Sequence, residues 1–124
     1  MPIPEINRAA LAWFARTYPG LAPQIDAASI SGHEHTSAGF FSKLHVPQSV
    51  PGIVDPTLGN IAFDGCAVFA SNLEPYAECI LHIASGRLSS LEVVSVGSGH
   101  PAESETFEVR GIEINRVALL SNGT

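Results

Sequence analysis

Residues 77–96 read AECILHIASGRLSSLEVVSV, and the reading of this stretch decides the fold. Cys79, Leu81, Leu91 and Val93 recur at every second position, the period of a strand with one buried face. Ser85-Gly86-Arg87 breaks the pattern, and a glycine there supplies the positive φ of a tight loop. Closing the chain on that three-residue loop sets Leu81 opposite Leu91 and Cys79 opposite Val93. His82 and Ser90 then oppose each other on the reverse face, beside Ile80 and Glu92. The stretch is an antiparallel hairpin, and the rest of the chain must supply its neighbours.

Outward from this hairpin, short runs rich in Ile, Val, Phe and Ser alternate with Gly and Pro, the mark of an antiparallel sheet. Strands are expected near 28–35, 38–46, 62–71, 77–84, 88–96 and 106–118. Between the second and third, HVPQSVPGIVDPTLGN (45–60) carries Pro47, Pro51 and Pro56, which exclude regular structure. That length suits a cover for the sheet or a binding loop. At the other end, PEINRAALAWFARTYPG (4–20) reads as one helix. Pro4 and Glu5 suit its first turn, Ile6, Ala10, Trp13, Phe14 and Thr17 recur at helical spacing, and Tyr18-Pro19-Gly20 stops it. The expected fold is α+β: one N-terminal helix packed on a bent antiparallel β-sheet of about five or six strands, with residues 1–124 forming a single domain.

Composition narrows the function classes. The chain has 124 residues, 45% hydrophobic and only 15% charged, with a formal net charge of −6. Arg8, Arg16, Lys43, Arg87, Arg110 and Arg116 are scattered, so no basic footprint for nucleic acid or an anionic membrane exists. Cys66 and Cys79 lie in apolar runs without the spacing of a zinc site, which points to reduced, buried thiols in a cytoplasmic protein. AALAWFA (9–15) is apolar, but Glu5 precedes it and Arg16 follows where a small-residue cleavage motif would stand, so no signal peptide is expected. No run approaches transmembrane length.

Two constellations carry candidate chemistry. In SISGHEHTSAGFF (29–41), a turn at Thr36-Ser37-Ala38-Gly39 pairs His35 with Phe40 and His33 with Ser42. His33 and His35 then share a face and could bind one metal, but a third protein ligand is missing unless a distant residue such as His100 or Glu92 closes in. The pair after a glycine is similar to the first cupin motif, yet Gly39 and Phe40 stand where that motif places its glutamate, and the second motif is absent. No metal and no cofactor is expected, and weak ligand binding is the expectation for His33 and His35.

The second constellation depends on how 62–71 pairs with 77–84. If Asn72 to Tyr76 forms the connection, Cys66 lies across from His82, and Cys66, His82 and Glu92 form a row of nucleophile, base and orienting carboxylate. A buried Cys beside a His that bonds a carboxylate, lining a shallow groove, is the plainer reading, and weak ligand binding is the expectation for Cys66, His82 and Glu92 as well. VGSGHPAE (96–103) has glycines but no following helix to hold a phosphate, and HExxH, GxSxG and Walker sequences are absent.

HTSAGFFSKLHVP (35–47) with GRLSSLEVVSVGSGHP (86–101) resembles small uncharacterised bacterial proteins, some near toxin–immunity loci, that carry a TGxGFF stretch and a later LExxSxG…P segment. The resemblance covers roughly residues 33–101, with Ser37 where those proteins often have glycine. It implies a small α+β domain and transfers no catalytic residue.

The leading expectation is therefore a non-enzymatic bacterial binding domain, immunity-type or regulatory, that contacts a protein or a small ligand. The alternative is a small metal-dependent or cysteine-dependent hydrolase. A homodimer is also expected. In TFEVRGIEINRVALL (106–120), Phe107 and Val109 alternate with charge, and Ile112 and Ile114 follow in the opposite phase after Gly111. A strand bent in this way offers one half to a two-fold mate.

Overall fold

A computed structural model describes residues 2–52 and 60–112. Helix α1 (Ile3–Thr17) comes first, then a 3-10 turn (Pro19–Leu21) and a short helix α2 (Ala22–Ala27). The strands are β1 (Ser29–His35), β2 (Gly39–His45), β3 (Asn60–Phe69), β4 (Ala77–Ala84), β5 (Arg87–Ser95) and β6 (Glu108–Gly111). They form one open six-stranded sheet in the order β1-β2-β5-β4-β3-β6, antiparallel at every pairing. The α+β expectation holds.

The central hairpin follows the alternation of its sequence. Leu81 pairs with Leu91, Cys79 with Val93, His82 with Ser90 and Ile80 with Glu92. The turn itself differs: Ala84 pairs with Arg87, leaving a two-residue loop in which Ser85 and Gly86 have φ of 51° and 82°. Two consecutive positive φ values are the signature of a type I′ turn. A bulge after His82, with Ile83 opposite Leu88, restores the expected register.

One face of the sheet is the core. Phe40, Leu44, Cys66, Val68, Cys79, Leu81, Ile83, Leu91 and Val93 point into it and pack with Ile3, Ile6, Ala10 and Phe14 of α1. The spacing of the helical residues puts them on one stripe, as the sequence indicates. Two positions differ: Thr17 is exposed, whereas Asn7 is buried and donates from Nδ2 to Ser42 Oγ on β2 at 2.9 Å. A polar side chain on the buried stripe is tolerated because it finds a polar partner across the interface.

Helix α2 was not legible in the sequence. It is held by one buried side chain, Gln24, whose Nε2 donates to Gly86 O at 2.9 Å and to Pro51 O at 3.2 Å. Its Oε1 accepts from Leu88 N at 2.9 Å. The described part of the proline-rich connection passes beside the β4–β5 turn, with Val46 in the core and Arg87 donating to Pro47 O and Gln48 O. Of the sixth expected strand, Glu108–Gly111 is formed, and Ile114 with the rest of the run to 118 lies outside the described residues.

Candidate functional site

The expected Cys66, His82, Glu92 row does not form. Cys66 pairs with Cys79, and Ala62 is the residue opposite His82. The β3–β4 connection is longer than the expected one, since Val68 already pairs with Ala77. A further irregularity falls between Phe63 and Cys66, where Gly65 has a φ of 92°. The displacement is three positions along β4, from His82 to Cys79, and an odd displacement turns a side chain to the other face. Cys66 is therefore fully buried beside Cys79 on the core face. This also corrects the expectation that the two cysteines face opposite ways. Both are free thiols. A hydrogen bond with Cys66 and burial push the Cys79 thiol well above its ordinary value, with smaller contributions from the charges of Cys66 and Glu78. Such a thiol is a poor nucleophile.

His82 and Glu92 remain together on the opposite, outer face of the sheet. His82 Nε2 and Glu92 Oε1 are 3.0 Å apart, each side chain about 40% exposed. The pairing of Ile80 with Glu92 and of His82 with Ser90 places them there by alternation alone. Glu78, two positions before Ile80 on the same face, completes the group. Burial raises its carboxyl above the ordinary value, and the neighbouring Glu92 carboxylate raises it further. The sequence signal for Glu78 is the same period-two alternation that places His82. His82 and Ser90 line a shallow recess of about 270 Å³ with Ile83, Ala84 and Ser89. Phe41, Ile80 and Val94, all half-buried, surround this acidic group.

A larger recess of about 410 Å³ lies away from these residues, between the start of α1 and the 3-10 turn Pro101–Glu103. It holds Glu5, Glu103 and Glu105 but no imidazole or thiol. We place the candidate binding surface on the outer sheet face, where titratable and apolar side chains converge.

The opening hairpin has the register its sequence predicts: His33 opposite Ser42 and His35 opposite Phe40. His33 and His35 are exposed because β1 is the sheet edge, beyond the cover of the helix. Their ring centroids are 5.5 Å apart, edge to face. His100, the distant residue whose approach the site needed, does come close, with its ring centroid 5.8 Å from that of His35. Both of its nitrogens are engaged, however: Nδ1 accepts from Ala102 N at 3.2 Å, and Nε2 lies 3.0 Å from Thr36 O. Glu92 is on the other face. Among the described residues, no group of three or more His, Cys, Asp or Glu side chains is arranged to hold a metal ion.

Among the described residues, no helix is long and apolar enough to cross a membrane. No known protein family, curated protein or solved structure matches the chain.

Proposed function

We propose that this chain is a non-enzymatic bacterial binding domain of the immunity or regulatory type, cytoplasmic and dimeric, which receives a protein partner on the outer face of its sheet. The observation that carries the reading is the composition of that face. Half-buried Phe41, Ile80 and Val94 surround Glu78 and Glu92, and Glu34 on the β1 edge pairs only loosely with Lys43 on β2, at 3.9 Å. Apolar surface mixed with carboxylates suits a partner that brings basic and apolar side chains together. Burial of Cys66 on the far face supports binding over cysteine-based hydrolysis, and the two free thiols suit a reducing compartment.

Co-expression of the tagged chain with the products of its flanking genes tests the proposal. One product should co-elute with the wild type and dissociate from the double variant Glu78→Lys, Glu92→Lys, whose own melt stays cooperative. If neither flanking product co-elutes with the wild type, the immunity-type reading fails.

A further inference from the structure

We propose that His33 and His35 chelate a late first-row divalent transition ion, with copper(II) held most tightly. The two residues are adjacent same-face positions on a paired strand. The irregularity in β1 falls earlier, between Ile30 and Gly32, and the ladder is regular from Gly32 through His35. The backbone under both imidazoles is therefore fixed, and little ordering remains to be done on binding. Their rings stand edge to face at 5.5 Å between centroids, a spacing compatible with one nitrogen from each lying about 2.0–2.1 Å from a shared ion.

His100 acts as a wall rather than a ligand. Its ring stands 5.8 Å from that of His35, tilted by 31°, and both nitrogens are spent on Ala102 N and Thr36 O. The wall restricts the rotation of His35 on one side. The site thus offers two imidazole nitrogens and leaves the remaining coordination positions to water. Imidazole donors without carboxylate oxygens select against magnesium and calcium, and for copper over nickel and zinc. With two protein ligands the ion exchanges readily, unlike a structural ion held by four.

Copper(II) chloride titrated into the untagged full chain, in a buffer without competing amines, tests the site. Electron paramagnetic resonance reads the coordinating nitrogens, and a competing chromophoric chelator reads the affinity. The wild type should bind one tight equivalent with an imidazole nitrogen pattern. His33→Gln and His35→Gln should each weaken it about tenfold or more, the order of loss when a metal site is impaired. The double variant should lose the nitrogen pattern, while His45→Gln, which changes an exposed histidine near the opposite end of the same hairpin, should bind like the wild type. Both site residues are exposed, so the metal-free melts of the variants should match that of the wild type. Equal binding by the wild type and the double variant, or an equal loss in His45→Gln, would overturn the assignment.

Discussion

Glu78 shows how a single side chain can work against its own fold. Its carboxyl is held above the ordinary value by burial first and by Glu92 second, so the folded state binds this proton more tightly than the unfolded chain does. For such a group the stability is fully present below the unfolded value and is lost as the pH rises through the folded one. Where Glu78 is ionised it therefore costs stability, by an amount reduced because the carboxyl is only partly buried. Glu78→Gln should raise the melting temperature at pH 7 by about two degrees or less and leave it unchanged near pH 3.5, as thermal melts by circular dichroism will read. The cysteines give a second test. Cys66 and Cys79 are fully buried, and Cys79 resists ionisation. A chromogenic thiol reagent should label neither in the native protein within minutes and both after unfolding without reductant. Rapid labelling of the native protein would contradict the packing, and finding no thiols after unfolding would show a disulfide.

Among the elements, the β4–β5 hairpin owes its stability to a residue outside the sheet. Gln24 on α2 accepts from Leu88 N and donates to Gly86 O and Pro51 O, tying the type I′ turn and the start of β5 to the proline-rich connection. An isolated hairpin is marginal in water, so this clamp anchors the tip of the two central strands to the helical layer. Removing the side chain leaves the buried Leu88 amide and Gly86 carbonyl without a partner, at about 1–3 kcal/mol for each buried group stranded. Gln24→Ala should therefore lower stability by roughly 2–4 kcal/mol in urea melts. Amide exchange should quicken first at Leu88. A loss below about half a kcal/mol would mean that water replaces the clamp.

For the whole molecule, the open sheet is the decisive feature. Closure would leave no edges, but here β1 and β6 are the outer strands among the described residues. An exposed edge offers unpaired N–H and C=O groups to a second chain. Ile30 on β1 is 46% exposed, and Val96, just past β5, is 52% exposed, both unusual for large apolar residues in a chain with so few charges. We propose that the protein is a homodimer. Static light scattering at micromolar concentration should give twice the 13.0 kDa chain mass. A mass equal to one chain would refute it. The contact first assigned to the run around Ile114 lies outside the described residues, and Ile30→Lys tests the β1 edge instead: a monomeric, folded variant would place the contact there.

Local chemistry determined much of this protein. Alternation in 77–96 fixed the β4–β5 pairing, because a slip of one residue would turn Leu81, Leu91, Cys79 and Val93 out to water. The 3.6-residue period placed Ile6, Ala10 and Phe14 on the core stripe of α1, and the turn before Gly39 set His33 and His35 on one face. Adding a Cβ to Gly39 would bring it within 1.9 Å of Val93 O, so the strand-to-strand approach there admits only glycine. Tertiary structure decided what no local pattern encodes. The β3–β4 register depends on a connection of ambiguous length and a bulge at Gly65, so Cys66 went to the core and His82 kept its Glu92 partner without it. Helix α2 is six residues long and too short to form by propensity, and it stands because Gln24 finds partners far along the chain. His100 reaches His35 only through the packing of the segment after β5 against the opening hairpin, a juxtaposition set by sheet order rather than by spacing. Periodicity reports which face a residue takes within its own strand, and only the folded chain reports which strand lies beside it.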